Sequence, residues 1–241
     1  MNMNMFIDNL YWLHYFNHII GESADLFYNA LFLSNRLAWI LYALALCSMW
    51  YAGTPGLLPE RPKGLLRHHA RTITLMICCA MPVLFIISKA IQKFVESNRP
   101  MMQENLLQIP LPPKIWHRVV DSFHMQGSFP SDHAVVFFLL ATSLFSLNRW
   151  WGVIGLVLAT FFSLLRVALG FHWPMDVLVG AIMGIVAGLV VIILSRWMVD
   201  GVFMRLSRKK INTWVFAVLV YLFLYDCSYK FSHIMRLLGH D

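Results

Sequence analysis

Long, nearly unbroken apolar runs recur along this chain at fairly regular intervals, and they leave it few ways to fold. About 18 to 20 apolar residues in a helix cross the roughly 30 Å of hydrocarbon in a bilayer. Six such spans are read here, at about 31–53, 72–94, 133–148, 151–169, 175–195 and 213–229. The first is interrupted near its start by Asn35 and Arg36, and the third is short unless the turn before it extends it. The composition agrees: 59% of the 241 residues are hydrophobic and 13% charged, against about 45–50% and about 25% in ordinary soluble domains. The expectation is an all-α, polytopic membrane helix bundle of about six transmembrane helices, forming one membrane-embedded domain over residues 1–241. No internal repeat or low-complexity tract interrupts it.

The net charge of +7 does not call for nucleic acid, because the basic residues sit in short loops beside apolar spans. Arg61, Lys63, Arg67 and Arg71 fall in the 55–71 loop, Arg149 in the 148–151 turn, and Arg196, Arg205, Arg208, Lys209 and Lys210 in the 196–212 loop. The alternate connections carry Arg99, Lys114 and Arg118 in 95–132 and none in 170–174. Ten basic residues against three place the first set of loops in the cytoplasm and both termini outside, which in a bacterium is the periplasm. Cys47, Cys78, Cys79 and Cys227 lie in or at the ends of apolar segments and read as packing residues rather than a disulfide or zinc framework. Residues 1–24, with Phe6, Leu10, Leu13, Ile19 and Ile20 among Asn and His, read as an interfacial amphipathic helix and lack the features of a signal peptide.

Polar residues collect in three separate segments, all at the outward ends of spans. The first is Lys93-Phe-Val-Glu-Ser-Asn-Arg99-Pro100, where an ammonium and a guanidinium can reach one anion. Pro100 takes Arg99 out of helical geometry, so the chain turns there. The second is Ser128-Phe-Pro-Ser131-Asp132-His133, leading directly into an apolar helix whose N-terminal N–H groups and dipole favour an anion. Ser131 adds a hydroxyl, and His133 a group that changes protonation near neutral pH. The third is Arg166-Val-Ala-Leu-Gly-Phe-His172-Trp-Pro-Met-Asp176. Pro174 suits the first turn of a helix, with His172 at its entrance and Asp176 one turn in. A carboxylate on one imidazole nitrogen leaves the other oriented to attack. Arg166, at the end of its span, calls for an anionic partner. Each segment alone fits an ordinary helix end; three on one membrane face are a different matter.

Together the segments resemble the signature motifs of the type 2 phosphatidic acid phosphatase family: a Lys followed by Arg-Pro, then Pro-Ser-Gly-His, then Ser-Arg-x5-His-x3-Asp. The resemblance covers roughly residues 72–195, and the Arg166–His172–Asp176 spacing fits without adjustment. Three departures stand out. Five residues separate Lys93 from Arg99 where the pattern has six, and Lys89, one turn earlier, fits no better; Asp132 replaces Gly; Leu165 replaces the Ser before Arg166. Pro-Ser-Asp-His with Gly-Phe-His-Trp-Pro-Met-Asp is most similar to the undecaprenyl pyrophosphate phosphatase branch.

The resemblance implies that His172 attacks the terminal phosphorus to form a phosphohistidine, that Asp176 stabilises the imidazolium, and that His133 protonates the leaving lipid phosphate. Lys93, Arg99, Ser131 and Arg166 are then the phosphate-binding residues. No cofactor and no metal are expected, since no carboxylate cluster suits magnesium. The expected partners are an isoprenoid or phospholipid phosphate substrate and membrane lipids, with no nucleic acid and no obligate protein partner. The expected location is the bacterial inner membrane, with the site facing the periplasm. Asp132 beside a phosphate is expected to turn outward or to pair with a nearby Arg. His68 and His69 fall on the cytoplasmic side, and His14 and His18 make too few ligands for a metal. Glu104, Lys114, Arg118, Asp121 and His124 in the 101–128 loop overhang the site in this topology. Competing readings are a phosphatidylglycerophosphate, phosphatidate or lipid A phosphatase, a transporter or anion channel, and an inactive scaffold.

Overall fold

The computed structural model describes residues 3–51, 67–95, 97–103, 106–121 and 127–197. All the elements in this stretch are helical: α1 (Met3–Gly21), α2 (Ala24–Phe32), α3 (Ala38–Tyr51), α4 (Arg67–Phe94), α5 (Pro113–Asp121), α6 (Asp132–Phe145), α7 (Arg149–Ala168) and α8 (Pro174–Trp197). A five-residue π segment, Leu33–Leu37, joins α2 to α3, so Ala24–Tyr51 runs on as one rod. That rod, His69–Phe94, Arg149–Ala168 and Pro174–Ser195 are each long and apolar enough to cross a membrane. The protein is thus a multi-pass membrane helix bundle. The expected span at 213–229 lies outside the described residues.

The expected third span is α6, only 14 residues long. At 1.5 Å per residue it reaches about 21 Å, short of a bilayer's hydrocarbon. It is also the most enclosed helix, with every residue from Ala134 to Leu144 buried. A helix apolar all round is a core helix, and its neighbours rather than lipid surround it. Its tightest neighbour is α8. A Cβ added at Gly180 would lie 2.6 Å from the Ser131 carbonyl oxygen, one at Gly184 would run into the Val135 carbonyl, and one at Gly188 would come within 2.6 Å of Thr142 Cβ. Small residues at four-residue spacing let two helices meet backbone to backbone, the usual device where lipid offers no hydrophobic drive. On the other side Gly155 of α7 approaches Ala141 and Leu144.

The link from α7 to α8 decides where the third polar segment points. Gly170 has φ +72°, its N–H bonds to the Val167 carbonyl at 2.8 Å, and the Phe171 N–H bonds to the Arg166 carbonyl at 2.9 Å. This is a Schellman ending, which satisfies carbonyls the helix would otherwise leave open and reverses the chain. A second apolar cluster lies beneath it, with Ile20, Phe27, Ala30, Met101, Leu111, Trp116, Ala168, Leu169 and Phe171. It caps one end of the bundle.

The interfacial reading of residues 1–24 changes here. Within α1, Leu13 and Ile20 are buried along with Asn9 and Asn17, and the helix packs against α7. Tyr11, Trp12, Tyr15 and Ile19 form its exposed side.

Candidate active site

Arg99, Ser131, Arg166, His172 and Asp176 are all buried at the capped end of the bundle, at 0 to 3% exposure. Their positions follow from local geometry. Arg99 is extended (φ −71°, ψ 145°) ahead of the Pro100–Met102 turn, as a residue before proline should be. Its Nη1 donates to the Phe171 carbonyl at 2.6 Å and its Nη2 to the Gly127 carbonyl at 2.9 Å, so one guanidinium ties together the loops on either side of it. Burial lowers the Arg99 pKa to about 10, which still leaves it charged at neutral pH.

His172 Nδ1 lies 2.8 Å from the Ser128 carbonyl oxygen. A carbonyl only accepts, so Nδ1 carries the hydrogen and Nε2 presents its lone pair. Nε2 is 3.3 Å from Arg99 Nη1. Burial first, and then the charges of Arg99, Arg166 and His133, push the His172 pKa well below 6.5. The imidazole is neutral, with its Nε2 lone pair facing the Arg99 guanidinium.

Asp176 does not hold the imidazole in the way the sequence suggests. Its Oδ2 is 3.9 Å from His172 Nδ1 and accepts instead from Ser128 Oγ and from the Trp173 N–H, the latter at 2.9 Å. The Asp176 carbonyl accepts from the Ser131 N–H at 3.0 Å. A carbonyl of the Ser128 turn therefore takes the place expected of the carboxylate, and Asp176 clamps that turn. Ser128 carries no such role in the sequence reading. The sequence signal for it was slight: a serine three residues before Ser131.

Ser131 is the N-cap of α6, yet its hydroxyl makes no capping bond and has no partner among the described residues, although it is fully buried. Arg166 Nη1 reaches Ser34 Oγ at 3.4 Å and Asn35 Oδ1 at 3.3 Å, and its guanidinium lies over the Phe171 ring at 4.9 Å. Its Nε has no partner among the described residues. Among the described residues no carboxylate pairs with it, so a buried cation and a buried hydroxyl are both left with bonding capacity for an anion. Ser34 and Asn35 come from the π segment, and π turns often mark functional sites. The polar break in the first span was its sequence signature. His133 Nε2 accepts from Trp39 Nε1 at 3.3 Å, and Trp39 and Phe137 meet its ring edge-on.

Lys93 stays apart from this group. It is exposed at the end of α4 and makes no hydrogen bond or ion pair among the described residues. Lys89 comes in instead. Its Nζ lies 3.0 Å from Asp132 Oδ2 and 2.8 Å from Gln92 Oε1, while Gln92 Nε2 donates to Asp132 Oδ1 and to the Pro130 carbonyl. Asp132 thus pairs with a lysine rather than with an arginine. The signature spacing, with six residues between the lysine and Arg99, falls on Gln92; a lysine stands three positions earlier, at Lys89, and Gln92 bridges it to the α6 entrance. A helix face repeats at three and four residues, and counting motif gaps could not reveal this. Among the described residues no three His, Cys, Asp or Glu side chains are grouped to hold a metal ion. Glu104 and His124 lie outside the described residues; Lys114, Arg118 and Asp121 lie on α5.

A family model described as the PAP2 superfamily matches residues 36–200. The chain belongs to the PAP2 superfamily. Arg99, Ser131, His133, Arg166, His172 and Asp176 fall inside the matched stretch; α1, Ser34 and Asn35 do not. YbjG of Escherichia coli (strain K12), provisionally named an undecaprenyl-diphosphatase, is 30% identical over 57% of this chain and 64% of its own length. The bacitracin transport permease protein BcrC of Bacillus licheniformis is 30% identical over 48% of the chain and 54% of its own. An undecaprenyl-diphosphatase of Sulfolobus acidocaldarius is 38% identical over 24% of the chain and 28% of its own. The chain thus spans less than two thirds of each of these PAP2-like relatives. No solved structure matches it.

Proposed function

We propose that this PAP2 protein is a lipid phosphatase that removes the terminal phosphate of an isoprenoid diphosphate such as undecaprenyl pyrophosphate. The observation that carries the reading is a neutral, Nδ1–H imidazole at His172 beside two buried arginines, one of which has, among the described residues, an unpartnered Nε and no carboxylate partner. An imidazole nucleophile inside a cationic, water-poor pocket is the chemistry of phosphoryl transfer.

In this mechanism Nε2 of His172 attacks the terminal phosphorus in line. The bond from phosphorus to the bridging oxygen breaks as the N–P bond forms, and His133 gives its proton to that oxygen, releasing the lipid monophosphate. Water, deprotonated by His133, then attacks the phosphohistidine and frees inorganic phosphate. Arg99, Arg166, the Ser131 hydroxyl and the N–H groups opening α6 hold the equatorial oxygens, whose charge they stabilise without a metal. Asp176 acts through the Ser128 turn and through its charge near the imidazolium. Lys93 is replaced by Lys89 as the nearby ammonium. The names of YbjG and the Sulfolobus protein support an undecaprenyl substrate, and the bias of Lys and Arg toward alternate loops of the sequence supports a site on the outer face of a cytoplasmic membrane.

The test is phosphate release by detergent-purified protein from undecaprenyl pyrophosphate, phosphatidylglycerophosphate and phosphatidate, with and without EDTA. Release from the isoprenoid diphosphate, unaffected by EDTA and lost in His172→Ala, is expected. Equal turnover by that variant would remove His172 from the mechanism. The name of BcrC favours a second reading as a permease, which inactivity on every lipid together with flux through liposomes would establish.

A further inference from the structure

The helix α1 lies outside the stretch that matches the family, yet it docks against the backbone that carries His172. Its buried line is Asn9, Leu13, Asn17 and Ile20, at 5, 0, 2 and 8% exposure. Leucines would dock a helix as well, and a buried amide costs stability unless its bonds are made. Both asparagines spend theirs on main-chain groups. Asn17 Nδ2 donates to the Ala168 carbonyl at 3.0 Å and to the Gln108 carbonyl at 3.3 Å, and its Oδ1 accepts from the Gln108 N–H at 2.7 Å. Asn9 Oδ1 accepts from the Met175 N–H at 3.1 Å.

Ala168 is the last residue of α7, and Met175 is in the first turn of α8. Helix ends leave such carbonyls and N–H groups without partners in their own helix. The two amides therefore grip the chain on either side of Gly170, Phe171 and His172. Asn17 also holds the Gln108 backbone, next to Leu107, which lies over Gly170. The Met101 N–H bonds to the Gly170 carbonyl from the same layer.

We infer that Asn9 and Asn17 make α1 a positioning element for the His172 turn, fixing where Nε2 meets the transferring phosphorus. This rests on the reading of His172 as the nucleophile. Each amide acts through main chain and touches no substrate. A misplacement of about 1 Å at a reacting atom costs on the order of a hundredfold in rate, so small slack at these anchors is felt in kcat.

An isosteric exchange separates this from simple docking. Asn→Asp keeps the shape and the Oδ1 acceptor and removes the Nδ2 donor. Among the described residues Asn9 uses only its acceptor, whereas Asn17 uses both. In full-length protein releasing phosphate from farnesyl diphosphate, Asn9→Asp should keep wild-type kcat. Asn9→Leu and Asn17→Asp should each lower kcat about tenfold with KM unchanged. Melting temperatures are taken for every variant. Wild-type kcat in all of them, or Asn9→Asp as slow as Asn9→Leu, or losses that follow melting temperature with KM rising, would each overturn the proposal. If Asn17→Asp fails to fold, the Asn9 pair decides alone. His172→Ala, run alongside, reports on the nucleophile separately: full turnover there sinks that reading whatever the asparagine variants do.

Discussion

The seam between α6 and α8 and the cap around His172 hold together in opposite ways. Along the seam, Gly180, Gly184 and Gly188 bring backbones into contact, and the contact surface is almost wholly apolar. In the cap, side chains reach for main chain: Arg99 to Phe171 and Gly127, His172 to Ser128, Asn17 to Ala168, Asn9 to Met175. The seam's many small contacts set stability, whereas the cap's few bonds, each worth about 1 kcal/mol net, set the place of reacting atoms. Among the described residues the cap even leaves capacity unused, at Arg166 Nε and Ser131 Oγ.

Four changes would break or sharpen that contrast. The largest effect is expected from Arg166→Met. Removing a cation proposed to meet transition-state charge should lower kcat/KM about a thousandfold, yet raise the melting temperature in detergent, because a buried charge with no carboxylate partner among the described residues is gone. A fall in both would make Arg166 a structural residue. Next is Gly184→Leu, which drives a side chain into the Val135 carbonyl and should cost about 2–3 kcal/mol or more in thermal unfolding. Turnover per folded molecule should not change, and a selective loss of kcat would erase the division between seam and site. Ser128→Ala leaves Asp176 Oδ2 with the Trp173 N–H and without the serine hydroxyl, but keeps the carbonyl on His172; kcat about tenfold lower with little change in melting is expected.

The smallest effect concerns pH. The His172 pKa is depressed in the folded protein, so below pH 6.5 the unfolded chain binds a proton that the folded one does not. This contribution is absent above pH 6.5, and it lowers stability as pH falls from 6.5 toward the depressed value. Over that window Nε2 stays unprotonated. Nitrogen-15 NMR of labelled histidines should show a neutral His172 ring at pH 6, and a midpoint at 6.5 for that ring would contradict the burial seen here.

Much of this was legible in the linear chain. Apolar runs long enough to cross a bilayer announced a helical membrane bundle, because in hydrocarbon a chain must satisfy its own backbone. Arg166, His172 and Asp176 could be picked out because a single Schellman turn and one helical turn fix their spacing locally. What was misread depended on partners distant in sequence. Lys89 pairs directly with Asp132, 43 positions away, with Gln92 bonded to both, while Lys93, nearer the expected spacing, is exposed. The imidazole takes a backbone carbonyl 44 positions away rather than its neighbouring carboxylate. Asn35 looked like a flaw in a span until Arg166, 131 positions on, was seen to use it.

By itself, then, the sequence determined which segments enter the membrane and which local turns carry charge, since periodicity, apolar length and turn chemistry act over a few residues. Only the tertiary structure decided which hydrogen-bond partner each buried polar group finds. That choice is made between elements, where glycines set how closely helices approach and a single long-range contact can replace the expected local one.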